Sequence, residues 1–288
     1  MPLTILRVMM KQADRAAGAE TKLFLPYTRI EGACDCGLLI ICDHASNALP
    51  EQYGTLGLPQ EQLERHIGYD IGAAGVTREL ARQFGAPALM ANFSRLLIDT
   101  NRGEDDPTLI MRISDGAVVP GNAGCDDAER ALRMNEYYAP YHQAIDEVID
   151  EGIAAGRPPA IFSIHTFTES WRGSPRPWHA GILWDNDPRL PVPLLRALQS
   201  EPDILADENV PYTGELKGDC LYRHGTQRGL AHALIEIRQD LVREEEGQKA
   251  WAVRLARILE ELFDAPDARA RFNTICHHGS NADMNVGA

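Results

Sequence analysis

After about residue 25, short apolar runs alternate with helical patterns along the chain. Leu38 to Cys42 is a continuous apolar run, which predicts a buried strand. Val76, Leu80 and Phe84 recur at every fourth position of 72–84, and Gly-Ala-Pro follows, which predicts an amphipathic helix and its end. The other predicted strands are 88–100 (one or two), 160–165, 179–184 and 232–238, and the other predicted helices are 126–155, interrupted by Pro140, 193–200 and 248–263.

Alternation of strands and helices predicts an α/β protein with three layers, α/β/α, around a mainly parallel mixed sheet that is covered on both faces. Ligands of such sheets bind beyond the carboxyl ends of the strands. His44, the pair Asn101–Arg102, His165 and the stretch 236–240 all lie at or near the end of a predicted strand. We therefore expect these residues to meet at one edge of the sheet.

The same patterning suggests how the chain is divided. Residues 1–25 are poorly patterned and are predicted to form a loosely ordered arm. Residues 26–270 are expected to form a single catalytic α/β domain, and residues 271–288 a C-terminal tail.

Charge and composition narrow the function classes. The 288 residues carry a net charge of −14, which argues against a nucleic-acid partner because phosphate binding needs a basic field. No apolar run approaches the length of about 20 residues that spans a membrane, and the N-terminus lacks signal-peptide features. The six cysteines are scattered, as reduced thiols would be, so a cytoplasmic location is expected. An anionic substrate would need local arginines to overcome the overall charge.

Two histidines at separate strand ends suggest a metal site. His44 and His165 each follow an apolar run, and catalytic zinc usually takes three protein ligands and keeps one position open. Asn47, three residues after His44, is a poor zinc ligand because its amide is neutral. Asp70 is a better third ligand, although it is also placed to cap the helix that follows it.

Two further segments carry candidate catalytic and binding groups. Arg95, Asn101 and Arg102 lie in "FSRLLIDTNR", and arginine is suited to hold a carboxylate through two parallel hydrogen bonds. Surface salt bridges are the alternative for either arginine. Glu236 lies inside the apolar strand "ALIEIR", where it would be a general base or one half of a buried ion pair.

The order of these segments resembles the N-formylglutamate amidohydrolase family from about residue 38 to about residue 242. The resemblance rests on six pieces in sequence, "DHASNALP", "HIGYDIGAAG", "SRLLIDTNR", "IHTFTE", "LYRHGTQRG" and "IEIRQDL". More distantly, the order is similar to that of zinc carboxypeptidases and aspartoacylase. The resemblance implies a phosphorylase/hydrolase-like fold, as in zinc-dependent exopeptidases.

The resemblance also implies roles, matched position by position. His44 and His165 correspond to metal-binding histidines. Asn47 departs from the distant relatives, which have a metal-binding glutamate at this position. In the N-formylglutamate amidohydrolase family, the aspartate that matches Asp70 takes the place of that glutamate. The remaining matches are Arg95 to the arginine that polarises the scissile carbonyl, Asn101 and Arg102 to the pair that binds the substrate carboxylate, and Glu236 to the catalytic glutamate.

The expected activity is that of a hydrolase with one zinc ion, or another divalent metal, which cleaves N-formyl-L-glutamate to formate and glutamate. Another N-acyl amino acid or a short peptide is the alternative substrate, and a metal-free binding protein is the alternative class. Arg223, His224 and Arg228 in the loop 222–229 are candidates for holding a second substrate carboxylate, although their composition also fits an ordinary basic turn.

Overall fold

A seven-stranded sheet is the centre of the computed structural model, which describes residues 24–284. The strands in chain order are β1 (Tyr27–Ile30), β2 (Leu38–Cys42), β3 (Ala88–Ala91), β4 (Ile113–Ser114), β5 (Ala117–Val118), β6 (Ala160–Phe167), β7 (Ser170–Trp171), β8 (Ser174–Pro175), β9 (Ala180–Leu183), β10 (Ala206–Glu208) and β11 (His232–Arg238). The order across the sheet is β1-β3-β2-β6-β11-β9-β10, while β4–β5 and β7–β8 are separate hairpins.

The sheet is mixed but mainly parallel. The pairs β3–β2, β2–β6, β6–β11 and β9–β10 are parallel, whereas β1–β3 and β11–β9 are antiparallel. The carboxyl ends of β2, β3, β6 and β11 therefore share one edge. This arrangement confirms the predicted fold class.

Helices of very different length connect the strands. They are α1 (Gln60–Leu63), α2 (Ala73–Phe84), α3 (Pro120–Ala123), α4 (Asp127–Arg133), α5 (Ala139–Ala154), α6 (Pro191–Gln199), α7 (Glu245–Phe263), α8 (Ala268–Phe272) and α9 (Asn281–Met284). Short 3-10 turns cover Glu51–Tyr53 and Gln239–Leu241, and π-helical turns cover Met134–Tyr138 and Tyr222–Thr226.

The two faces of the sheet are covered by different helices. On one face, alternate strand residues such as Ile40 and Phe162 are buried together with the apolar sides of α2, α6 and α7. On the other face, Leu39 and Ile161 are buried with α5, which contributes Ile145 and its neighbours. Because both faces are covered, the sequences of the central strands are continuous apolar runs and do not alternate between apolar and polar residues.

Most predicted elements are present, and the differences have local causes. The segment 88–100 forms one strand, β3, followed by a buried turn. A π-helical turn, Met134–Tyr138, joins α4 to α5 immediately before Pro140, so the helix predicted over 126–155 changes its hydrogen-bond pattern there instead of breaking. The edge strands β1 and β10 were not predicted, since they are short and only partly buried.

The segments predicted at the two ends of the chain fall only partly within the described residues. Most of the predicted N-terminal arm lies outside the described residues. Residues beyond 270 contact the domain: the N–H of Cys276 bonds the carbonyl of Gly229, and the N–H of Asn281 bonds the Asp185 carboxylate at 3.0 Å. Within residues 24–284, no helix has the length and apolar character to cross a membrane.

Candidate active site

A cavity of about 470 Å³ lies over the carboxyl halves of β6 and β11. Seven of the residues selected from the sequence line it: His44, Asp70, Arg95, Asn101, Arg102, His165 and Glu236. Arg223, His224 and Arg228 do not line it. The structure therefore brings together the predicted metal ligands, the two candidate catalytic residues and the Asn–Arg pair.

The strands and their following turns position the central groups. His44 comes two residues after the end of β2, and its carbonyl accepts a hydrogen bond from the N–H of Asp70 at 2.9 Å. His165 and Glu236 lie inside β6 and β11 rather than beyond them, and they are direct partners in the parallel register. Paired residues on neighbouring strands project from the same face, so both side chains face the cavity.

His44, Asp70 and His165 form a cluster with the geometry of a metal site. Each offers one ligand atom, and these atoms lie within 4.8 Å of one another. His165 Nδ1 is 2.8 Å from Asp70 Oδ2, and His44 Nδ1 is 3.5 Å from the same oxygen. His44 Nδ1 is buried and has no hydrogen-bond partner among residues 24–284. A buried nitrogen without a partner, facing a carboxylate and a second imidazole, is what a bound cation would satisfy.

The outward nitrogens of the two histidines are held by carboxylates. His44 Nε2 lies 2.7 Å from Asp99 Oδ1, and His165 Nε2 lies 3.0 Å from Asp43 Oδ2. Metal-binding histidines usually make such a second hydrogen bond, which fixes the ring and leaves the other nitrogen for the metal. The donor set of two imidazoles and one carboxylate also suits zinc. The cluster therefore fits the metal that the resemblance implies.

Burial and opposing charges shift the protonation of these groups. Burial acts to raise the pKa of Asp70, but His44 and His165 hold it below its usual range. Burial acts to lower the pKa of His165, but its hydrogen bonds to Asp43 and Asp70 raise it well above the ordinary value. Burial raises the pKa of Glu236 to about 8. Asp70 is thus a carboxylate at neutral pH, while Glu236 is poised to exchange a proton.

The structure distinguishes Asp70 from Asn47. The Asn47 amide donates to the carbonyl of Leu63 at 3.1 Å and is not part of the cluster. The alternative role for Asp70, a side-chain cap of the following helix, is not observed: α2 has Gly72 as its N-cap and no side-chain cap. Asp70 instead accepts from His165 and from the N–H of Thr166 at 3.3 Å.

Glu236 is buried without an ion-pair partner. Its Oε2 has no hydrogen-bond partner among the described residues, and no described Lys or Arg lies within salt-bridge distance of it. The alternative of a buried Glu–Arg or Glu–Lys pair is therefore not observed. A carboxyl group in this environment costs folding free energy unless it is used by a ligand, water or reaction.

The three residues from "FSRLLIDTNR" differ in how much of their bonding capacity is used. Arg95 donates Nε and Nη2 to Asp99 Oδ2 at 3.0 and 2.7 Å, which directs its remaining nitrogen, Nη1, to within 3.9 Å of Asp70. Asn101 Oδ1 accepts from the N–H of Cys220 at 3.1 Å, which leaves its amide nitrogen for the cavity. Arg102 donates through Nε and Nη1, and its Nη2 has no described acceptor.

The loop 222–229 directs its basic residues away from the cavity. Arg223 pairs with Glu104 at 3.3 Å, and Arg228 pairs with Asp146 at 2.9 Å. His224 is buried, with its two ring nitrogens bonded to Asp146 and to His142. The charges of this loop are thus compensated by acidic residues of the protein.

His142, His224 and Cys220 are a second group with metal-ligand spacing, but they fit a metal less well. His142 Nδ1 and His224 Nε2 are 2.8 Å apart and are hydrogen-bonded to each other. Burial and the nearby Asp43 carboxylate raise the pKa of Cys220, whereas a metal needs the thiolate.

Two supporting residues were not selected from the sequence. Asp43 holds His165 and itself accepts from the hydroxyl of Tyr141 at 2.9 Å, and Asp99 links His44 to Arg95. Both stand within a recognisable motif, directly before His44 and four residues after Arg95. The hydrogen-bond partners of Asp43 and Asp99 depend on how separate strands pack. The sequence shows only that both residues lie close to motif residues.

Known proteins resemble this chain over most of its length. A sequence model of the N-formylglutamate amidohydrolase family matches residues 36–243. The solved structure of a gene product from Agrobacterium tumefaciens is 35% identical, covers 82% of this chain and 94% of its own, and superimposes with a TM-score of 0.77. The N-formylglutamate amidohydrolase from Ralstonia eutropha is 23% identical, covers 82% of this chain and 98% of its own, and gives a TM-score of 0.65. None of the curated proteins matches.

Proposed function

Because this chain belongs to the N-formylglutamate amidohydrolase family, we propose that it is a metal-dependent enzyme that hydrolyses N-formyl-L-glutamate to formate and L-glutamate. One observation carries the proposal. A carboxylate-supported His–Asp–His cluster shares a cavity with a buried glutamate that has no ion-pair partner. His44, Asp70 and His165 would hold one zinc ion, or another divalent metal.

The reaction transfers the oxygen of water to the formyl carbon and breaks the amide C–N bond. A bound divalent ion supplies Lewis acidity, which polarises a carbonyl and lowers the pKa of water. Glu236 accepts the proton of the attacking water at its carboxylate and returns it to the leaving nitrogen, so that the amine departs neutral. A pKa raised by burial suits this exchange near neutral pH.

Arginine and asparagine side chains orient the substrate. Arg95 Nη1 faces the metal cluster and stabilises the negative charge that develops on the carbonyl oxygen, a role typically worth about 3–4 kcal/mol per donor. Arg102 and the amide of Asn101 hold the α-carboxylate at the cavity wall. These arginines give a protein with a net charge of −14 a local site for an acid.

Formate release from a panel of N-formyl and N-acetyl amino acids tests the proposal. The zinc-loaded protein is expected to release formate from N-formyl-L-glutamate faster than acyl groups from the other compounds. Faster release of acetate from an N-acetyl amino acid would indicate that the enzyme removes a different acyl group. Absence of turnover with every compound, in protein that contains metal, would contradict the amidohydrolase proposal.

Arg102→Ala is expected to raise KM for N-formyl-L-glutamate about 10- to 100-fold with a smaller change in kcat, because a charge-assisted hydrogen bond to the bound carboxylate is lost. Steady-state kinetics measures both constants. Arg223→Ala is the matched control, since Arg223 pairs with Glu104 outside the cavity, and it should leave KM nearly unchanged. An unchanged KM in Arg102→Ala would place the carboxylate elsewhere.

A further inference from the structure

A dicarboxylate substrate needs a second cation, and the cavity offers few. Four carboxyl groups of the described residues line it: Asp70, Asp185, Asp219 and Glu236. The two arginines that line it are Arg95, which is engaged with Asp99, and Arg102, which is assigned to the α-carboxylate. The basic loop 222–229 is neutralised by its own acidic partners. Neither lining arginine is therefore left for the side-chain carboxylate.

Arg176 is a cation held beside the cavity by aromatic rings: it is not itself a lining residue, but it contacts Phe167, Thr168 and Tyr212, which are. It follows the β7–β8 hairpin and is partly buried, and its guanidinium carbon lies 5.4 Å from the ring centre of Trp171, 5.2 Å from that of Tyr212 and 5.8 Å from that of Phe167. Such contacts hold a guanidinium group without neutralising it. Among residues 24–284, no carboxylate lies within salt-bridge distance of Arg176.

One edge of this guanidinium group is left available. Nη1 donates to the hydroxyl of Thr168 at 3.0 Å and to that of Tyr212 at 3.3 Å, and both residues line the cavity. Nε and Nη2 have no acceptor in the described part of the chain. These two nitrogens form the parallel pair of donors that binds a carboxylate in bidentate fashion.

The charge of Arg176 also reaches the proposed reaction centre. Burial is the main influence on the pKa of Glu236 and raises it, whereas the positive charges of His165, Arg95 and Arg176 act to lower it. Thr168 and Tyr212, which accept hydrogen bonds from Arg176, line the same cavity as Glu236, so a substrate in this cavity lies near both residues.

We infer that Arg176 binds the side-chain carboxylate of an N-acyl dicarboxylic amino acid whose α-carboxylate is bound by Arg102. The inference rests on the proposed function. It assigns substrate specificity to the residue that directly follows the β7–β8 hairpin, in place of the loop 222–229.

The test compares N-formyl-L-glutamate with its neutral isostere, N-formyl-L-glutamine, on the zinc-loaded protein. Arg176→Gln is expected to lower kcat/KM for the glutamate compound about 10- to 100-fold, mainly through KM, because the charged bidentate contact is lost. The glutamine compound should change less than about threefold, since it has no second charge to lose. An equal loss for both compounds, or an unchanged preference, would overturn the inference.

Two further variants serve as controls. Arg172 also lies over Trp171, at 5.7 Å, but is exposed on the hairpin. Arg172→Gln therefore removes a neighbouring charge and should leave kcat/KM unchanged for both the glutamate and the glutamine compound. Arg176→Lys keeps the charge without the fork and should give an intermediate preference. If Arg176→Gln does not fold, Arg176→Lys provides the test. Loss of the preference for N-formyl-L-glutamate over N-formyl-L-glutamine in this variant would support a bidentate contact. An unchanged preference would contradict it.

Calorimetry with glutarate separates this inference from the proposed function. If the wild type hydrolyses neither compound, the proposed function fails, but glutarate binding still tests the subsite. A Kd that is about 10- to 100-fold weaker in Arg176→Gln than in the wild type supports a dicarboxylate site. Equal binding by both proteins, or no binding by the wild type, contradicts it.

Discussion

Glu236→Gln is expected to lower kcat for N-formyl-L-glutamate by about 10²- to 10⁴-fold, because the amide cannot accept the proton of the attacking water. Bound metal should remain at the wild-type level, since Glu236 is not part of the His44, Asp70 and His165 cluster. Formate release and metal content, measured on the same preparation, test both statements. Near-normal turnover would exclude Glu236 as the group that moves the proton.

The Glu236→Gln variant should not lose activity through unfolding. In protein without metal, burial raises the pKa of Glu236 to about 8 from 4.5. The folded state therefore binds more protons than the unfolded state between these values, and this group makes the free energy of unfolding fall as pH rises through that window. Glutamine does not titrate, so at neutral pH the variant should be at least as stable as the wild type in thermal denaturation. Glu260→Gln, an exposed change on α7, should leave activity and metal unchanged.

His165→Ala is expected to remove metal and activity together. Three protein ligands become two, so we expect metal content to fall from about one ion per chain to less than about a tenth. Formate release should fall more than about 10³-fold, because the metal contributes several kcal/mol to catalysis. Full activity in a variant without metal would contradict the role of the cluster.

Folding must be checked for this change, because Asp43 and Asp70 both bond the ring of His165 and would lose their partner. His44→Ala is a second test of the cluster and disturbs a different pair of contacts. His277→Ala is the matched control, since His277 is exposed and does not belong to the cluster, and it should retain both metal and activity.

The sequence predicted the central strands and the location of the site because both depend on local patterns. The runs Leu38–Cys42 and 232–238 are apolar since their strands are covered on both faces, and strand ends at one edge brought the candidate residues together. Ligand chemistry and the family resemblance both favour Asp70 over Asn47 as the third ligand, and the structure places Asp70 beside both histidines.

Features that depend on long-range packing were not predicted. The antiparallel direction of β9 relative to β11 cannot be predicted from the four residues of β9, because these residues are apolar whichever way the strand runs. The loop 222–229 looked like a carboxylate site because Asp146 and Glu104, which neutralise it, are far away in the sequence. Arg176 had no local motif, since its role depends on a hairpin that brings it to Tyr212, 36 residues later.

Stoichiometric reconstitution with zinc shows directly whether hydrolysis depends on a metal bound to the protein. The protein would be stripped of metal with a chelator, and formate release from N-formyl-L-glutamate would be followed as zinc is added back. We expect no measurable turnover without metal and a linear rise in turnover that ends at about one ion per chain. Full activity in protein shown by elemental analysis to contain no metal would contradict this expectation.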